Sequence, residues 1–273
     1  MTSGTNLWDS EIPDLAPYAA GRATVRQFDP DGDISDDELR DIIDAGRKAP
    51  TSGTTQAYSF IHVTSQSRRK QIHELCDKGT KQIETASHFL VVCIDAYRNL
   101  LLLEHRNKSF ALPREMGLLE GAIDASLAAQ LIMIVAESRG YGVCPIGNIL
   151  NNIQGVTEEL ELPEGVIPIF GLCIGVPATD APRENCPRIP IDAILHENSY
   201  TEPTAEELEA CYNQMDTMYG DSVYGDESTQ WEDTLVRYWG SDGFMNRREE
   251  ELGKTLSEQG FDELRNEVST NDD

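Results

Sequence analysis

The chain has 273 residues, 39% of them hydrophobic, enough for one large domain or two small ones with a substantial core, and this excludes wholesale disorder. Lys and Arg total 22 against 48 Asp and Glu, a formal net charge of −26. No basic stripe exists to pair with phosphates, so no nucleic-acid partner is expected. The acids run along the whole chain, and in dilute buffer their mutual repulsion opposes the compact state. At molar salt the Debye length falls to about 3 Å and screens it, so the surface reads as adapted to a salty cytoplasm, the alternative being simply an acidic mesophile protein.

No stretch of about 18 uncharged apolar residues predicts a membrane span, and the first residues, MTSGTNLWD, lack the basic and apolar regions of a secretory signal. A cytoplasmic protein is expected. The six cysteines, Cys76, Cys93, Cys144, Cys173, Cys186 and Cys211, form no CxxC pair and read as buried free thiols. Zinc-type spacing is absent, so no metal site is expected.

In chain order, residues 1–20 are polar and read as a lead-in arm. Ser35-Asp36-Asp37-Glu38 is a capping box opening a helix to about Arg47. Residues 57–63 predict a strand and 68–76 a helix. HFLVVCID (88–95) is a continuous apolar run that predicts a strand buried on both faces. Residues 97–115 are mixed and polar, an expected surface excursion. The strongest helical pattern covers 118–139, apolar on most sides, which predicts a central helix or one in a subunit interface. A short strand at 143–147, a helix at 151–160 and a second buried strand at 166–176 follow. Residues 200–273 predict two helices, about 204–219 and 229–258, with no strand. This order predicts an α+β layer fold in one domain.

Four segments carry candidate chemistry. Arg22-Ala23-Thr24-Val25-Arg26 offers two guanidinium forks and a hydroxyl, donors suited to phosphate, although two surface arginines paired with acids would look the same. Ala49-Pro50-Thr51-Ser52-Gly53-Thr54-Thr55-Gln56 is a cluster of small hydroxyl and amide donors after a helix, able to line a polar ring or phosphate or to form an ordinary turn before a strand. Gly142 to Asn148 carries glycines that let a planar ligand approach the backbone, or simply connect helix to strand. Arg188, in Pro187-Arg188-Ile189-Pro190, is a further candidate anion contact or a surface residue. No Ser/His/Asp or Cys/His arrangement at motif spacing points to nucleophilic catalysis. The five histidines, His62, His73, His88, His105 and His196, are expected to be structural or exposed.

In order and spacing these segments resemble the FMN-dependent nitroreductase and flavin reductase family, particularly its oxygen-insensitive NADPH nitroreductases, from about Gly21 to Tyr200. The resemblance is carried by RATVRQF, APTSGTTQ, HFLVVCID, AESRGYGVCPIGNILNNI, VIPIFGLCIGVPA, PRIP and HENSY. It implies an α+β nitroreductase-like fold whose central, mainly antiparallel sheet is flanked by helices. An arm (1–20), an FMN-binding domain (21–200) and a helical extension (201–273) of the same domain are expected, the extension wrapping a partner. It further implies a homodimer with FMN at the interface, NADPH or NADH as reductant, and a small-molecule electron acceptor. The acceptor would be a nitroaromatic, a quinone or free flavin, reduced in ping-pong turnover. A reductive dehalogenase, a flavin-fragmenting enzyme and a non-catalytic flavin-binding protein are the alternatives.

Position by position, the resemblance gives Arg22, Ala23, Thr24 and Arg26 to the phosphate and ribityl end of FMN. It gives Thr51 and Ser52 to the ribityl chain or ring edge, and Thr80 to the ring. Pro145, Ile146, Gly147 and Asn148 back the ring, and Arg188 meets the phosphate. Chemistry resides in the flavin, so no catalytic side chain is assigned. The chain departs from its relatives at Ala23, Thr80 and Cys186, and its acidic 221–231 segment stands where the relatives carry a basic NADPH-binding loop.

Overall fold

The computed structural model describes residues 14–76, 79–182, 187–219, 230–262 and 264–266. They fall into two compact units, one of residues 1–24 with 183–233, the other of residues 25–182 with 234–273. The rest of the expected arm, Cys186 and nearly all of the acidic 221–231 segment lie outside the described residues.

The second unit is built on the sheet. Strands β1 (Tyr58–His62), β2 (His88–Asp95), β4 (Gly142–Ile146) and β5 (Val166–Gly175) form one sheet in the order β1-β2-β5-β4, every neighbour antiparallel. The two runs expected to be buried on both faces are the two central strands. Every residue of β2 is buried. One face packs on Ile72, Ile83, Val156 and the segment holding Val25 and Phe28. The other meets α2 (Asp36–Gly46) and the long helix α6 (Arg114–Ser138) through Leu39, Ile42, Ala125, Ala129 and Ile132. Alanines at the crossing let the α6 backbone lie close to the sheet. Two faces covered by helices make this the expected α+β layer fold.

Ser35 caps α2, its hydroxyl accepting from the Glu38 backbone N–H at 3.2 Å. Helix α3 (Gln66–Leu75) starts in the same way at Ser65 and carries Arg69, which is 5% exposed. That guanidinium donates to the carbonyls of Val63 (2.7 Å), Ala86 (2.7 Å) and Ser87 (3.1 Å), tying α3 to the turn before β2. Burial holds its pKa below the ordinary arginine value.

The segment 97–115 is a largely exposed excursion, as expected, and contains helix α5 (Tyr97–Glu104) and a two-residue strand β3 (Phe110–Ala111). Two expectations change. The C-terminal region does contain a strand, β6 (Arg265–Asn266), paired antiparallel with β3. The expected helix at 229–258 is two helices, α9 (Trp231–Trp239) and α10 (Phe244–Glu258). Leu256 and Phe261 then bury against Ile94, Ile153 and Ile167. Helix α6 has 25 residues and an 18-residue window with a mean hydropathy of 1.7, so by length and composition alone it is long and apolar enough to cross a membrane, although acids interrupt it. Its buried face instead packs on the sheet and on α2.

In the first unit, α1 (Ala16–Gly21) precedes Arg22, and α8 (Ala205–Tyr219) is joined to Trp231. The Trp231 backbone N–H donates to Asp216 Oδ1 at 2.7 Å, and its ring meets Tyr212 edge-on at 5.7 Å.

Candidate functional site

Along β4 the second unit places three of the expected segments, Arg26 beside the start of the strand and Pro145–Asn148 at its end. The Val25 N–H donates to the Val143 carbonyl at 3.0 Å, which lays Arg26 beside β4. Thr80 is buried just before α4 (Gln82–Thr85), whose Gln82 side chain reaches Cys144 Sγ at 3.8 Å. Asn148 donates from Nδ2 to the Cys76 carbonyl at 3.1 Å, holding the turn after β4 against the end of α3. Within that turn Pro145 and Gly147 are exposed while Ile146 is buried. A Cβ placed on Gly147 would have no atom within 4 Å. This backbone therefore presents an open face that a flat ligand can approach.

Thr51 and Ser52 are fixed by a different anchor. Asp124 of α6 is 1% exposed, and its Oδ1 accepts the Ser52 N–H at 2.9 Å. Its Oδ2 accepts the Ala57 N–H at 3.4 Å, so one buried carboxylate holds both ends of the loop. The loop is strained: Gly53, Thr54 and Gln56 have φ of 52°, 60° and 52°. Arg98 of α5 holds it, donating to the carbonyls of Gln56 and Tyr58, the latter at 2.9 Å, and pairing with Asp95 at 3.3 Å. The Thr51 Oγ1 is buried without a hydrogen-bond partner among the described residues, and so is the Tyr58 hydroxyl. Burial, reinforced by the nearby Asp124 charge, raises the Tyr58 pKa above its ordinary value.

A cleft of about 760 Å³ opens beside it, lined by Thr54, Thr55, Tyr58, Arg47, Arg98 and Leu103 among others. It combines an apolar wall with two guanidinium groups.

The remaining expected residues lie in the other unit. Arg22, Ala23 and Thr24 are half-buried directly after α1. Arg188 is exposed, with its Nη1 donating to the Pro187 carbonyl at 2.9 Å and its own carbonyl accepting from Gln214. Sequence reasoning overlooked Asp124 and Arg98. Asp124 carried a signal, being an acid at the centre of a mostly apolar helix and at the start of its longest uncharged run; Arg98 carried none.

Comparisons with known proteins agree with this architecture. The profile of the nitroreductase family matches residues 19–176, and that of the nitroreductase family C-terminal domain matches residues 186–263. An NADPH-dependent oxidoreductase of Staphylococcus aureus (strain USA300) is 32% identical over 232 residues, covering 83% of this chain and 91% of the relative. A nitroreductase of B. subtilis superposes with a TM-score of 0.79 at 29% identity, over 90% of this chain and 98% of that one. The NADPH:FMN oxidoreductase of Vibrio harveyi, solved in complex with NAD+, superposes with a TM-score of 0.77 at 27% identity, over 89% of this chain and 96% of that one. The chain belongs to the nitroreductase family.

Proposed function

We propose that this protein is an FMN-dependent oxidoreductase that draws electrons from NADPH or NADH and passes them to a small electrophilic acceptor in ping-pong turnover. The observation that carries the reading is the placement along one strand, β4, of Arg26 at its start, the segment of Thr80 and Gln82 at its middle and the open Pro145–Asn148 backbone at its end. The unsatisfied Thr51 hydroxyl and the empty space over Gly147 fit a phosphorylated, planar cofactor. Names of similar proteins, an NADPH-dependent oxidoreductase and an NADPH:FMN oxidoreductase, support FMN and the nucleotide.

Bound FMN would supply a two-electron carrier able to accept hydride and return it. The protein binds and orients. Arg26 would hold the phosphate with a planar, permanently charged fork. Thr51 and Ser52 would hold the ribityl chain or ring edge, Thr80 would meet the ring, and Ile146, Gly147 and Asn148 would back it beside Pro145. Arg22, Ala23, Thr24 and Arg188 are assigned to the phosphate by sequence resemblance alone. The cleft beside Thr54 and Thr55 would take the nicotinamide and then the acceptor, with Arg47 and Arg98 favouring electron-rich groups such as nitro or quinone oxygens.

A homodimer completes the reading. Met116, Leu119, Ile123 and Leu127 form an exposed apolar stripe on α6, each 42% exposed or more. A second copy covering this stripe would remove apolar surface from water. The C-terminal extension would wrap that copy.

Initial rates measured over a grid of NADPH and quinone concentrations in molar salt test the mechanism. Parallel lines in the double-reciprocal plot are expected; lines that intersect would mean both substrates bind together and would exclude ping-pong turnover.

A further inference from the structure

Residues far apart in sequence meet at the outer edge of the sheet, and none of them is assigned to the flavin. His62 ends β1, the edge strand, and His88 begins β2. Leu90 lies opposite His62 in the ladder, so His88, two residues earlier, projects from the same face on the diagonal. The two imidazoles meet with His88 Nδ1 3.0 Å from His62 Nε2, their ring centroids 4.9 Å apart. Asp36, the first residue of α2, lies over them, and one ligand atom from each of the three side chains falls within 4.8 Å of the others.

The hydrogen bonding fixes which nitrogen of His88 is available. Its Nε2 lies 2.8 Å from the Ile34 carbonyl, which can only accept, so Nε2 carries the proton and Nδ1 presents its lone pair. A histidine whose second nitrogen donates to a backbone carbonyl is oriented as metal-bound histidines are. His62 is half-buried and Asp36 exposed, so the open side of the cluster faces solvent. Asp36 and His62 line a cleft of about 480 Å³ with Asp41, Asp44, Arg40 and Arg47, where Arg47 is already paired with Asp44 at 2.5 Å.

The geometry points to a divalent metal site of zinc type, with His62 Nε2, His88 Nδ1 and an Asp36 carboxylate oxygen as its ligands. Binding requires only that the His62 proton reside on Nδ1, which frees the Nε2 lone pair, so no net proton is released. With bonds of about 2.0–2.1 Å, tetrahedral ligand atoms sit roughly 3.3 Å apart, a spacing reached by small side-chain rotations from the observed one. Three protein ligands leave a fourth position for water. The ion would fasten the start of α2 to the β1–β2 edge, and it is independent of the flavin reading.

The test uses chelator-stripped full-length protein in molar salt. Zn2+ is titrated against a chelating indicator, and Co2+ is added separately to look for ligand-field bands to the red of flavin absorption. One tight equivalent per chain is expected, with a rise in the melting midpoint and tetrahedral Co2+ bands. His62→Gln and Asp36→Asn, both at accessible positions, should each weaken that equivalent by about a hundredfold. Their melting without metal should stay near that of the parent protein. The proposal is overturned if the parent takes up no tight equivalent, or if either variant binds it as tightly as the parent. The second outcome would assign the ion to the general acidic surface.

Discussion

Arg26→Ala is expected to leave the purified protein with little bound FMN and to raise the FMN dissociation constant roughly thirtyfold. A hydrogen bond to a charged group contributes about 1.5–3 kcal/mol, and a phosphate that loses one guanidinium fork forfeits an interaction of that size. The loss matters more here than in a basic protein. The chain has only 22 Lys and Arg against 48 acids, and Ala23 supplies no side-chain donor beside the pair. The substitution spares the ladder contact at this point, made by the Val25 backbone, and the buried side chains of Val25 and Phe28. Flavin released by acid and counted per chain gives the readout. Unchanged content would remove Arg26 from the phosphate site.

Asp124→Ala should weaken FMN retention by a different route and also lower stability. The variant strips the acceptors from the Ser52 and Ala57 N–H groups, 72 and 67 residues away in sequence. Each unsatisfied backbone donor costs about 1–3 kcal/mol, and a loop holding three positive φ angles has little reserve against that loss. A drop of roughly 3 kcal/mol in denaturant-measured stability of the flavin-free protein is expected. FMN affinity should fall with it, because Thr51 and Ser52 are no longer held. Asp124→Asn keeps one carbonyl oxygen for the Ser52 N–H, so it should recover part of both losses. Equal affinity in all three proteins would show that the loop does not meet the cofactor.

What sequence made legible follows from burial pattern. The runs at 88–95 and 166–176 are apolar throughout because both faces of β2 and β5 are covered, and that continuity is visible without a structure. The capping box at Ser35 is equally local. Helix α5 escaped because Leu101, Leu102 and Leu103 are all exposed, so its residues show no single apolar face. The β3–β6 ladder escaped because two residues per strand carry no periodicity, and the partners are more than 150 positions apart. The break between α9 and α10 had a signal that was passed over, Gly240 and Gly243. A Cβ at Gly240 would lie 2.5 Å from the Val236 carbonyl oxygen, so the helix ends where only glycine fits.

The site shows the same division. Segments local in sequence, such as Thr51-Ser52 and Pro145–Asn148, were found from their composition and their family resemblance. The residues that hold them were not, because Asp124 and Arg98 act across the fold on backbone atoms. His62 and His88 were set aside for want of ligand spacing, yet adjacent antiparallel strands bring them to 3.0 Å.

The central claim, that this chain carries FMN and reduces it with a nicotinamide nucleotide, is tested most directly by anaerobic mixing. The FMN-loaded protein in molar salt is mixed with NADPH, and in a parallel experiment with NADH, while flavin absorbance is followed. Bleaching by at least one nucleotide, fast enough to support turnover and reversed on adding quinone, is the expected result. A protein that holds FMN but is bleached by neither nucleotide would be a flavin-binding protein without this reaction, and one that takes up no FMN would contradict the account at its root.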